Sequence, residues 1–184
     1  MYVKKLEKAY FYNSSQRDII ADIFWLTEKL YKSKNTILIC CKDYENVKII
    51  GDFLWAYRDD EFIPHSLEKE DQDSVYPILI TSKIDKDYKH NTLLALNGVL
   101  VEEKVCQKFS NVYYFFDNQE NIEKENARTM WKNFVSQNVV CKYWVNKANK
   151  WDEPEAPAMM ALKDENTSRV ESDRPHIMTF VIMK

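Results

Sequence analysis

Short apolar runs alternate along this chain with longer stretches whose apolar residues recur every three or four positions, the spacing of one helix face. Ala9-Tyr-Phe-Tyr12 reads as a first strand. Ser15-Gln-Arg-Asp18 resembles a capping box, in which the hydroxyl accepts from a free helix N–H and the acid reaches back. The spacing predicts a helix from there to about Lys32, with Ile19, Ile23, Leu26 and Leu30 on one face. Thr36-Ile-Leu-Ile-Cys-Cys41 is continuously apolar, the pattern of a strand buried on both faces of a parallel sheet. Asp43 can cap a second helix that runs through Trp55 and turns Val47, Ile50 and Leu54 inward. Residues 57–75 are polar and read as irregular, apart from Phe62-Ile-Pro-His65. Pro77–Thr81 and Val112–Phe116 are further strands; Thr92–Leu96 fits a strand or a short helix and is read as a strand. A long helix over Gln119–Ser136 and an extended segment over Val139–Trp144 complete the pattern.

Strands alternating with helices define an α/β fold class. The expectation is a single three-layer domain, with a mostly parallel, twisted, Rossmann-like sheet and helices on both faces. From Asp152 the chain turns to Asp-Glu-Pro-Glu-Ala-Pro and periodicity stops. The division is therefore a 1–151 domain and a 152–184 acidic tail that reads as disordered, with an apolar end at Ile177–Met183. Charge sharpens this division. The tail holds seven acids and four bases, which accounts for the whole formal net charge of −3. Residues 124–151 hold six bases (Lys124, Arg128, Lys132, Lys142, Lys147, Lys150) and one acid, Glu125, so a basic face survives in an acidic chain. There is no run of about 18 apolar residues for a membrane span. Met1-Tyr-Val-Lys-Lys-Leu-Glu-Lys8 lacks the apolar stretch of a signal peptide, so a cytoplasmic location is expected.

The chemistry of catalysis is hard to find. A phosphate cradle needs glycine so that backbone N–H groups can approach the phosphates. The two glycines, Gly51 and Gly98, lie in no such loop, and no cofactor is expected. Cys40, Cys41, Cys106 and Cys141 form no Cys-x-x-Cys pair and read as reduced, buried thiols. His65, His90 and His176 are scattered, and Asp59-Asp-Glu61 reads as a solvated loop, so no metal site is expected. The expectation is a protein without its own active site.

Two constellations carry information. In Phe53-Leu-Trp55-Ala-Tyr-Arg-Asp-Asp-Glu-Phe62-Ile-Pro64-His65 an aromatic closes a helix and another precedes a loop proline; such residues are either core plugs or interface anchors. On the last helix, Lys124, Arg128 and Lys132 recur at i, i+4, i+8, with Trp131 one turn from Arg128 and Phe115-Phe116 ending the preceding strand. A cationic ridge beside aromatic rings suits a ligand with a carboxylate and an apolar side chain, or single-stranded nucleic acid, or is a plain solvated face.

The block Leu54-Trp-Ala-Tyr-Arg-Asp-Asp-Glu-Phe-Ile-Pro-His-Ser-Leu67 resembles the Leu-Trp…Phe-x-Pro-His segment of the chi subunit of bacterial DNA polymerase III holoenzyme. Pro77-Ile-Leu-Ile, Leu93-Leu-Ala-Leu-Asn97 and Ala127-Arg-Thr-Met-Trp-Lys132 resemble later segments of that family in the same order, so the likeness runs from about Ala9 to Tyr143. Trp131 stands where the family often has tyrosine, and the tail after Trp151 has no counterpart there. The resemblance implies a non-catalytic replication adaptor. Its partners would be the psi subunit of the clamp-loader complex and the acidic C-terminal tail of single-stranded-DNA-binding protein, with DNA contacted only indirectly. By position it implies that Trp55, Phe62 and Pro64 face psi. Phe116, Lys124, Arg128 and Trp131 would form the tail-binding pocket. The rival reading is a direct single-strand binder that uses the 124–151 bases with Trp131, Tyr143, Trp144 and Trp151.

Overall fold

A computed structural model describes residues 6–14, 19–56, 62–68, 76–84, 88–147 and 150–154. In chain order the elements are β1 (Lys8–Asn13), α1 (Ile19–Lys32), β2 (Ile37–Cys40), α2 (Tyr44–Ala56), β3 (His65–Leu67), β4 (Ile78–Thr81), β5 (Thr92–Ala95), α3 (Glu103–Cys106), β6 (Asn111–Phe116), α4 (Asn121–Ser136), β7 (Val140–Lys147) and β8 (Lys150–Asp152). The strands form one sheet in the order β3-β4-β2-β5-β6-β1-β7-β8. Every pairing is parallel except β7 with β8.

Side-chain alternation divides the interior into two layers. Ile37, Ile39, Ile78, Ile80 and Leu94 meet α1 and α2 on one face, through Ile23, Leu26, Leu30, Val47, Ile50 and Leu54. Leu38, Cys40, Leu79, Leu93, Val112, Tyr114 and Phe116 meet α4 on the other, through Ala127, Met130 and Phe134. The chain is thus a three-layer α/β domain with a mostly parallel sheet. The central strands β2, β4 and β5 are buried at every position, which is why they read as unbroken apolar runs. Asp43 caps α2 as the sequence suggests: its Oδ1 accepts the Asn46 N–H at 2.9 Å, and that bond lowers the Asp43 pKa.

Four features depart from the sequence reading. A short parallel strand, β3, forms inside the stretch read as irregular, because its backbone completes a ladder with β4 in the register His65↔Ile78. The four-residue helix α3 was not anticipated. β7 continues beyond Trp144 to Lys147, and β8 folds back on it. The capping box Ser15–Asp18, the acidic cluster Asp59–Glu61 and residues 155–184 of the tail lie outside the described residues.

The turn after β5 depends on glycine. Gly98 has φ +61°, and a Cβ there would lie 2.6 Å from the Glu123 Cα of α4. Gly98 O accepts from Asn126 Nδ2 at 2.9 Å, and Gly98 N–H donates to Phe115 O at 2.9 Å. This turn pins the first part of α4 against the sheet.

Candidate functional site

The arrangement of the α4 flank follows from helix geometry. Ala127, Met130 and Phe134 point into the core. Lys124, Arg128 and Trp131 then fall together on the adjoining flank. Trp131 is half-buried and meets the buried Phe11 ring edge-on, with centroids 5.0 Å apart. Tyr143 of β7 belongs to the same cluster of packed side chains, and its hydroxyl accepts from Asn13 Nδ2 at 3.0 Å. Lys132 lies on the outer, exposed side of the helix.

Two placements change the expected picture. Phe116 is 0% exposed. Its ring lies 6.3 Å from that of Tyr143, so it supports the floor of this region from within the core. Arg128 is also not a bare cation: its Nη1 pairs with Glu125 Oε1 within one turn of helix. Its Nε is buried and has no hydrogen-bond partner. The guanidinium is therefore half sunk in the surface, with one edge held by an exposed carboxylate and one donor unsatisfied.

The second constellation lies at the β3 edge of the sheet. Trp55 ends α2 and is 59% exposed; Phe62 is 63% exposed. Their rings lie 5.1 Å apart, and Trp55 also covers His65 at 4.9 Å. Pro64 is half-buried between the buried Ile63 and His65. His65 Nδ1 hydrogen-bonds with Ile63 O at 2.8 Å, which holds this corner in shape. Trp and Phe side chains that stand in water at an element end are the usual anchors of a protein interface. Tyr76, 48% exposed just before β4, lies at the same amino-terminal end of the adjacent strand. A lone tyrosine in a polar stretch carries no sequence signal.

The two constellations are far apart. The order of strands places β3 first and β1 and β7 sixth and seventh. At ~4.8 Å per strand, roughly 25–30 Å of sheet separates them.

The single-strand-binding alternative fares differently. Trp131 and Tyr143 pack on the α4 side of the sheet. Trp144 stacks on Tyr12 at 6.2 Å, and Trp151 meets Tyr12 edge-on at 5.0 Å, while Tyr12 packs against the α1 side. The sheet divides these four rings into two pairs, so they do not line one platform. Among the described residues no group of three or more His, Cys, Asp or Glu side chains is arranged to hold a metal, and no helix is long and apolar enough to cross a membrane.

The model of the family "DNA polymerase III chi subunit, HolC" matches residues 6–142. The chain belongs to the DNA polymerase III chi subunit family. A relative in Rickettsia prowazekii (strain Madrid E), described as "Probable DNA polymerase III subunit chi", is 23% identical over 127 residues, which cover 66% of this chain and 77% of the relative. The chi match runs from just before β1 to Lys142 of β7 and takes in Trp55, Phe62, Pro64, Phe116, Lys124, Arg128 and Trp131; Tyr143 lies just beyond it. Trp144, Trp151 and β8 lie beyond it.

Proposed function

We propose that this chi-family chain is a non-catalytic cytoplasmic adaptor of the replication machinery. It joins the psi subunit, and through it the clamp loader, to the acidic C-terminal tail of single-stranded-DNA-binding protein. Psi docks on Trp55, Phe62 and Pro64, and Tyr76 extends that surface. The tail docks on the α4 flank, with Arg128 and Lys124 taking its carboxylates and Trp131 its last aromatic side chain; Phe116 contributes only as support behind Tyr143.

The observation that carries this reading is the separation of two unlike surfaces on one sheet. An exposed apolar cluster suits a permanent partner. A half-buried guanidinium with an unsatisfied Nε suits a terminal carboxylate, which can accept two parallel hydrogen bonds. With roughly 25–30 Å between the surfaces, both partners can be held at once.

The test is a three-component gel filtration with psi and a labelled peptide that has an acidic stretch and a C-terminal Phe. The expected result is one peak containing all three. Mutual exclusion of psi and peptide would sink the adaptor reading.

A further inference from the structure

A crevice remains that neither surface uses. β2 and β5 are adjacent parallel strands. The chain leaves β2 through α2 towards β3, and leaves β5 through α3 towards β6, in opposite directions along the sheet. Such a reversal opens a crevice above the carboxyl ends of the strands, where open α/β sheets take their ligands. A cavity of about 500 Å³ lies there, bounded by Cys40, Ser82, Ile84, the Val99–Glu102 segment, Lys104, Val105 and Lys108. That volume is within the range of small-molecule sites, about 300–1,000 Å³.

Its chemistry is graded from floor to rim. Ser82 at the floor has its N–H and its hydroxyl proton committed to Glu68, at 2.7 Å and 3.0 Å. What remains there is acceptor capacity, so a ligand must bring donors. Ile84, Val99 and Val105 form apolar walls, and Leu100 is 55% exposed beside them. Lys104 and Lys108 stand one turn apart at the rim, both exposed. Lys104 pairs with Glu102 at 2.8 Å, but both side chains are largely in water, and such a pair exchanges readily. Two backbone donors beside these strand ends are taken: Asp43 holds the Asn46 N–H and Glu68 the Ser82 N–H. The site therefore has room for one anionic group at the lysine rim, a flat apolar body between the walls, and donors at the floor.

We propose that this crevice binds a nucleoside monophosphate, with the phosphate between Lys104 and Lys108, the base against Leu100 and Val99, and a hydroxyl or amine donating to Ser82 Oγ. The absence of a glycine loop is no obstacle, because the anion is met by side chains and not by a backbone cradle.

The experiment is an amide chemical-shift titration of the full chain, with calorimetry, using deoxyadenosine monophosphate, deoxyadenosine and inorganic phosphate as separate probes. The expected result is saturation by the monophosphate with a dissociation constant below about 1 mM, with shifts confined to Ser82, Ile84 and Val99–Lys108. Deoxyadenosine and phosphate should each bind at least about tenfold more weakly. The double variant Lys104→Ala/Lys108→Ala and the single variant Leu100→Glu alter only exposed side chains, so they should keep the wild-type melting curve and lose the monophosphate. No saturation, equal affinity for phosphate alone or for the nucleoside alone, or shifts centred on Arg128 would each overturn the assignment.

Discussion

The two surfaces at the ends of the sheet are built in opposite ways. At the β3 edge, Trp55 and Phe62 stand in water and lean on each other. A partner gains simply by removing that apolar area from solvent. On the α4 flank, Trp131 is already half-buried against Phe11, and Arg128 is already paired with Glu125. A partner there must exchange one ion pair for a better one. The first arrangement gives affinity that is nearly indifferent to salt. The second should give selectivity for a particular anionic end, and a strong dependence on ionic strength.

The largest effect is expected at the aromatic corner. Phe62→Ala should weaken the psi-like partner by about 2 kcal/mol or more, roughly 30-fold, with an unchanged melting curve, because Phe62 is mostly in water. Trp55→Ala should do the same but also cost some stability. It removes the ring that packs on His65, 4.9 Å away, and on Phe62. Pull-down and thermal melting of both variants check this; a Phe62→Ala protein that melts early would make Phe62 a core residue and erase the contrast.

Next comes a variant that should damage one surface and spare the other. Gly98→Ala places a Cβ against the α4 backbone in a left-handed conformation. The expected cost is about 2–3 kcal/mol of stability, read as a lower denaturant midpoint, together with weaker binding of the acidic peptide. Psi binding by the folded fraction should be unchanged. Equal losses on both surfaces would mean that they are not independent.

Arg128→Ala should weaken an acidic peptide with a C-terminal Phe by about 1.5–3 kcal/mol, the range for a hydrogen bond to a charged group. The melting curve should hardly move, since the exposed Glu125 pair that is lost contributes about 1 kcal/mol at most. Amidating the peptide's C-terminus should reproduce the loss on wild type and add little on the variant. Raising salt should weaken peptide binding and leave psi binding in place. Anisotropy titrations at two ionic strengths decide both points.

Much of this was legible in the sequence, for local reasons. β2 and β4 are buried on both faces and so announce themselves as apolar runs. Lys124, Arg128 and Trp131 share a flank because helix spacing leaves no choice. What escaped depends on non-local pairing or on brevity. β3 is three residues, two of them polar, and exists through its ladder with β4. α3 is too short for periodicity, and β8 is defined by β7. Phe116 was read as a pocket wall, although strand alternation puts it on the same side as Tyr114, under α4. Tyr76 carried no pattern at all. The Arg128–Glu125 pair has an i, i+3 spacing in the sequence, but spacing alone does not say which neighbour a long flexible side chain selects.

That pair gives the finest test of the contrast. Glu125 is the one acid among the basic residues of 124–151, and it holds the guanidinium proposed to take the peptide's carboxylate. Its carboxylate is 64% exposed against 34% for the Arg128 side chain, so it contributes little to folding. As an internal competitor it should still oppose binding by about the strength of an exposed ion pair, ~0.5–1 kcal/mol. Glu125→Ala should therefore tighten the acidic peptide about two- to fivefold, with most of the gain lost at high salt and none seen for psi. In the Arg128→Ala background the same change should give almost nothing, because the group being released is gone. A double-mutant cycle on peptide affinity reads this directly. Equal tightening in both backgrounds would mean that Glu125 acts only as a nearby negative charge. The guanidinium would then not be what the peptide competes for.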